Sequence, residues 1–183
     1  GVSRAVLVAH SMGANVARWV AYRYPARVTG LVILDGALVP YPETQSAKDA
    51  WEVDMAGMYR AMSMEEGEAV TREYIKTLRG VKTPRGLMDS VLEKMMSTSR
   101  PVRLSCMKYF VDPESFHLPA LRVPTLAVYA ASAKLPLNLE AMLRAMFPDL
   151  DFVLWDGPGH FLQLERPADC TAAIQDFLAR RGL

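Results

Sequence analysis

An α/β fold is predicted, built on a mostly parallel sheet that a single helical insertion interrupts. Three observations predict it. Short apolar runs at 4–9, at 28–34, from Thr125 and at 152–155 have the composition of strands buried on both faces of a parallel sheet. Helical spacing of apolar residues follows the first run and the last one. Between Asp35 and Thr125 lie some ninety residues whose apolar positions recur at helical intervals, too many for a minimal sheet.

The first strand, Arg4-Ala5-Val6-Leu7-Val8-Ala9, leads into His10-Ser11-Met12-Gly13. From Ala14 onward Val16, Ala17, Val20, Ala21 and Tyr24 repeat at helical spacing, with Arg18 and Arg23 expected on other faces, and Pro25 ends the run. Ser11 therefore stands at the apex of a strand–turn–helix corner. Such a corner strains its central residue and needs small neighbours, which Ala9 and Gly13 supply. The helix start brings free N–H groups to the hydroxyl, that of Met12 first among them. An N-cap role for Ser11 is the plainer alternative.

The second strand ends at Asp35-Gly36, one strand over from Ser11 and on the same rim of the sheet. Beyond it, "SAKDAWEVDMAGMYRAMSMEEGEAVTREYIKTLRGV" and "RGLMDSVLEKMMSTSRPVRLSCMKYF" read as helices broken at Gly80, Pro84 and Pro101. Most of the methionines fall here, at 55, 58, 62, 64, 88, 95, 96 and 107. Adaptable Met side chains suit either a pocket lining or an ordinary helix-packing core. The expected boundaries are a core of 1–37 and 118–183 and a helical cap of 38–117 over the active site.

The last strand, Phe152 to Trp155, turns through Gly157-Pro158-Gly159 to His160, and a helix follows from about Pro167 with Ala168, Cys170, Ile174, Phe177 and Leu178 on one face. An imidazole on a Gly-rich loop can reach a nucleophile, take its proton and return it to a leaving group. His117, just before a strand, is expected to be a surface or packing residue, and no His/Cys/Asp spacing suggests a metal site.

These motifs resemble the α/β-hydrolase family. Ala9-His10-Ser11-Met12-Gly13 is similar to its G-x-S-x-G nucleophile elbow, with Ala in place of the first Gly, and Gly157-x-Gly159-His160-Phe161 with Leu164-Glu165-x-Pro167 is similar to its catalytic-His loop and final helix. The resemblance implies a catalytic triad: Ser11 as nucleophile, His160 as base and then acid, and a carboxylate to orient the imidazole. The position most relatives use for that acid falls on Ala133, in a loop without a carboxylate, so the acid is assigned to Asp35; the alternative is that Asp35 only binds loop N–H groups. Met12 N–H is the implied oxyanion donor, and His10 is assigned to the substrate pocket.

The implied activity is a serine carboxylesterase working through an acyl-enzyme on a small-molecule ester, with no cofactor. Lactonases, C–C bond hydrolases and aminopeptidases share the motifs, and a non-catalytic binding protein or inactive fragment is the other class. Elbows of dehalogenases and epoxide hydrolases carry Asp where Ser11 stands. With 51% hydrophobic residues and a formal charge of +1, no basic excess points to nucleic acid or acidic membranes. Cys106 and Cys170 make no disulfide framework, and the absence of a signal peptide or membrane span leads to the expectation of a cytoplasmic protein. The resemblance further implies that the sequence covers strands five to eight of the usual eight. The first strand is then expected to pair with a missing N-terminal segment or a second copy.

Overall fold

The computed structural model describes residues 1–132 and 134–183, so Ala133 lies outside the described residues. Four strands, β1 (Ala5–His10), β2 (Val28–Leu34), β3 (Thr125–Ala130) and β4 (Leu150–Trp155), form one parallel sheet in the order β1-β2-β3-β4. Register pairs His10 with Leu34, Leu34 with Val128, and Val128 with Val153. The carboxyl ends of the strands therefore line one rim.

Helix α1 (Gly13–Arg23) joins β1 to β2. After β2 come α2 (Gln45–Trp51), α3 (Gly57–Ser63), α4 (Gly67–Lys76), α5 (Arg85–Ser97) and α6 (Arg100–Val111), with a π-helical turn (Glu52–Ala56) between α2 and α3 and a 3-10 turn (Pro113–Phe116) after α6. Helix α7 (Leu139–Met146) joins β3 to β4, and the chain closes with the single turn α8 (Leu162–Glu165) and α9 (Pro167–Arg181).

Alternation along the strands divides the sheet's side chains between two cores. Leu31, Ile33, Ala127 and Tyr129 pack with Ala14, Ala17 and Ala21 of α1 and Leu139, Leu143 and Met146 of α7. Val32, Leu34, Leu126 and Val128 face the other way, onto Leu162, Cys170 and Phe177 of α8 and α9. Strand β3 is buried throughout, and β2 at all but one position. On the outer strands Val8 is 55% exposed and Leu154 51%.

Helix α1 departs from its expected orientation. Ala14, Ala17, Arg18 and Ala21 are buried, whereas Val16 and Tyr24 are exposed. Small alanines let the helix close on the sheet, and Arg18 reaches out of the apolar layer to donate to the Leu118 carbonyl at 2.8 Å. Its guanidinium also stands 6.0 Å from the Phe147 ring centre. Burial lowers the Arg18 pKa to about 10, so it stays charged at neutral pH. In α9, Cys170 and Phe177 are buried as the spacing predicts, but Ala168 is exposed, two residues before Cys170 and so about 200° round the helix from it.

The chain divides into two compact units, one of 1–39, 80–82 and 118–183 and one of 40–79 and 83–117. The second unit is helical. Met62, Ile75, Met88, Val91, Val111 and Phe116 are buried in it, while Met64 and Met95 are exposed, so its methionines divide between packing and surface. Trp51 stands edge-on to Phe116 at 5.3 Å and donates through Nε1 to the Val111 carbonyl. Pro84 caps α5, whereas Pro101 lies within the first turn of α6, where its missing N–H costs nothing. Among the described residues no helix is long and apolar enough to cross a membrane. Cys106 and Cys170 are both free thiols.

Candidate active site

Strand β1 ends at His10 and α1 begins at Gly13, so the chain reverses within two residues. Ser11 makes that reversal with φ of 55°, in the left-handed region that side chains rarely occupy. The corner is held by its own backbone. Ser11 N–H donates to the Leu34 carbonyl at 3.2 Å, and the Ser11 carbonyl accepts from Ala14 and Ala37, each at 3.0 Å. A methyl group on Gly13 would meet only the Ala9 Cβ, at 3.9 Å, an ordinary contact. Ala9, where the family motif has glycine, therefore does not crowd the Gly13 position. Met12 is the N-cap of α1, and its N–H, ahead of the first turn, has no intrahelical acceptor.

One strand over, Asp35 repeats the conformation with φ of 44°. Its N–H donates to the Val128 carbonyl, and its Oδ1 accepts from Ala130 N–H at 2.9 Å, which ties the carboxylate to the end of β3. The following Gly36 is hemmed in. A Cβ there would lie 2.5 Å from Ile33 Cγ2 and 2.8 Å from Ala14 Cβ. Tyr129 Oη donates to the Gly36 carbonyl at 2.9 Å. Burial, reinforced by the Asp35 charge, pushes the Tyr129 pKa well above its ordinary value and keeps the phenol a donor.

The loop from Gly157, itself at φ of 100°, delivers His160 between these corners. His160 Nδ1 is 2.6 Å from Asp35 Oδ2, and Nε2 is 2.8 Å from Ser11 Oγ. A carboxylate only accepts, so Nδ1 carries the proton and the Nε2 lone pair is left to accept from the Ser11 hydroxyl. The His160 and Asp35 side chains are 17% and 13% exposed, dry enough to strengthen the pair while leaving an approach to it. One Asp35 oxygen thus binds the Ala130 N–H at the end of β3 while the other lies against the imidazole.

The structure brings Ser11, His160 and Asp35 together and places Met12 N–H beside them in sequence at the helix start. His10 turns toward the loop that carries His160. Its Nε2 lies 2.7 Å from the His160 carbonyl oxygen, and its ring packs against those of His160 and Phe161 at 4.6 and 5.4 Å. Burial lowers its pKa most, with the His160 charge acting the same way against the opposing hydrogen bond and Asp35. His117 is exposed and stacks on Tyr41 at 4.3 Å.

Glu165 is a contributor that the sequence reading left without a role. Turn α8 brings its carboxylate back to the loop, where both oxygens lie 3.0 Å from Gly159 N–H. The quoted Leu164-Glu165-x-Pro167 motif was its signal. A cleft of about 600 Å³ opens elsewhere on the rim, between Ala131, Ser132, Leu135, Phe152 and Leu154, and none of the residues above lines it.

The model of the family described as alpha/beta hydrolase matches residues 1–173. A curated relative, the 2-hydroxy-6-oxononadienedioate/2-hydroxy-6-oxononatrienedioate hydrolase of Paraburkholderia phymatum, is 24% identical over 98% of this chain and 64% of its own length. The chain thus spans a little under two thirds of that relative. A thermophilic esterase from Thermogutta terrifontis superposes with a TM-score of 0.63 at 26% identity, over 98% of this chain and 66% of that one. A structure described as Est816, an N-acyl homoserine lactone degrading enzyme, gives a TM-score of 0.73 at 20% identity, over 96% and 68%, a likeness of fold.

Proposed function

The chain belongs to the alpha/beta hydrolase family, and from that premise we propose that it is a serine hydrolase cleaving carboxylic esters through an acyl-enzyme. The observation that carries the reading is the unbroken hydrogen-bonded line from Ser11 Oγ through the His160 ring to Asp35, at 2.8 and 2.6 Å. His160 Nε2 takes the Ser11 proton as Oγ attacks the acyl carbonyl. Asp35 holds the tautomer that leaves Nε2 free and stabilises the imidazolium that forms. Met12 N–H donates to the developing oxyanion, helped by the positive end of α1. The imidazolium then protonates the departing alkoxide, and water repeats the sequence in reverse roles to release the acid.

Fluorophosphonate labelling tests this directly, since only an activated serine reacts. Labelling at Ser11 that vanishes in Ser11→Ala and His160→Ala, together with turnover of p-nitrophenyl esters, is the expected result. Labelling that persists in Ser11→Ala would overturn it. Hydrolysis of a C–C bond is the second reading, favoured by the names of the curated relatives. It would appear as cleavage of a 2-hydroxy-6-oxodienoate faster than that of any p-nitrophenyl ester. We further propose that the outer edge of β1, which among the described residues has a strand only on its β2 side, is covered in the active protein by another polypeptide segment. A monomer with full activity in sedimentation and assay of this chain would count against that.

A further inference from the structure

His160 stands at the end of a Gly-Pro-Gly loop. Gly157 and Gly159 flank Pro158, and Gly157 has a conformation that side-chain-bearing residues rarely adopt. Small rotations in this loop would carry the imidazole away from both of its ring partners. Close packing of Gly159 on Gly80 opposes them, and so do two side chains. Glu165 accepts the Gly159 N–H from the far side of the loop, and His10 reaches the His160 main chain from the nucleophile's own strand.

The His10 contact has a defined polarity. A carbonyl oxygen only accepts, so His10 Nε2 carries the proton and donates at 2.7 Å. His10 directly precedes Ser11 and ends β1, whose register with β2 is fixed by pairs from Val6–Gly30 to His10–Leu34. The sheet therefore sets where His10 stands. Any shift of the His160 backbone relative to Ser11 must stretch this bond. With Asp35 on Nδ1 and Ser11 on Nε2, His160 is gripped at its ring and at its main chain from two neighbouring strands.

Resting on the triad reading above, we propose that His10 is a positioning residue: its Nε2–H bond to the His160 carbonyl fixes the distance between the imidazole and Ser11 Oγ. It acts without touching substrate. The groups facing it are His160, whose positive charge during turnover disfavours a second proton nearby, Asp35, which favours one, and the apolar Phe161 ring. His10 kept neutral by burial leaves the His160 imidazolium without a cationic neighbour at 4.6 Å.

The test uses His10→Phe, which keeps ring volume without a donor, and His10→Gln, whose amide N–H reaches a similar point. For p-nitrophenyl esters of graded chain length, kcat in the Phe variant should fall about ten- to a hundredfold, the scale of a misplacement near 1 Å. KM should stay within about twofold, and Gln should restore most of the rate. If the Phe variant does not fold, His10→Asn replaces it, with a donor too short to reach. The downfield proton NMR signal of His160 Nδ1–H, bonded to Asp35, reads the same positioning without activity. It should broaden or shift in Phe or Asn and recover in Gln. Unchanged kcat and signal in a folded Phe variant would overturn the proposal, as would a KM change that varies with chain length at constant kcat, which marks a pocket residue. A wild-type chain without esterase turnover or labelling would sink the hydrolase reading alone, since the NMR arm still decides the positioning.

Discussion

Two corners sit side by side on the sheet rim, alike in backbone and opposite in packing. Ser11 and Asp35 end adjacent strands, and both are non-glycine residues in the left-handed region. Around Ser11 there is room, since a methyl on Gly13 would make only an ordinary contact. Around Asp35 there is none, because any Cβ on Gly36 would run into Ile33 and Ala14. The difference fits the two roles proposed for these residues. A nucleophile must be approached by its substrate, whereas an orienting carboxylate needs only to stay still. Strain of this kind costs on the order of 1–3 kcal/mol per residue and persists only where surroundings enforce it. Asp35 has its enforcement from the core and the Tyr129 and Ala130 bonds. The Ser11 corner has its backbone hydrogen bonds and the contact of Oγ with His160 Nε2.

Substitutions at the two corners can break or sharpen this contrast. Ser11→Ala should give the largest effect, a loss of roughly 10⁶ in kcat by analogy with other serine hydrolases, with thermal unfolding little changed. Asp35→Asn should cost about 10⁴ in kcat, because the amide can present its NH₂ to Nδ1 and so select the wrong tautomer. Steady-state kinetics at constant pH check both, and an Asn variant near the parental rate would move the orienting role elsewhere. Gly36→Ala should destabilise the fold by about 1–3 kcal/mol in denaturant unfolding, the usual range for overpacking. Gly13→Ala should do the reverse, raising stability by about 0.4–1 kcal/mol with activity within a fewfold, since the helix gains an alanine without a clash. Equal losses from the two glycine changes would erase the distinction between the corners.

The smallest effect is on pH dependence. The folded-state pKa of His10 lies below its unfolded value, so the unfolded chain binds more protons as pH falls. Its contribution to stability is present above the unfolded pKa, near 6.5, and is lost as pH drops through the folded one. The stability difference between the parent and His10→Gln should therefore shift against the parent on acidification. Urea titrations at several pH values would register it.

Much of this was legible in the sequence, and for local reasons. Ser11 and His160 declare themselves because sharp turns and Gly-rich loops need particular residues at fixed offsets. The assignment of Asp35 follows from the family resemblance, whose usual acid position falls on Ala133, and not from any local pattern. The burial of Arg18 was not legible, because it depends on a carbonyl at Leu118, a hundred positions away, and on how closely three alanines let α1 approach. Nor was the target of His10. The last side chain of a strand points where the rim allows, and here the rim is built by the final loop. The tightness at Gly36 was hidden similarly, since the offending atoms come from α1 and β3 as well as β2.

Strands β2 and β3 are hydrogen-bonded neighbours although the entire helical unit lies between them along the chain. Chain-closure entropy rises only logarithmically, by about 0.6 kcal/mol for each doubling of length, so so distant a pairing is tolerable at equilibrium. Its signature belongs to kinetics, where contacts remote in sequence slow the approach to the native state. On refolding, β1, α1 and β2 can associate locally and shape the Ser11 corner early. Asp35 acquires its Ala130 partner only when β3 arrives, and His160 follows with the last loop. Recovery of labelling at Ser11 should therefore lag behind recovery of helical signal, with the delay set by this late strand addition.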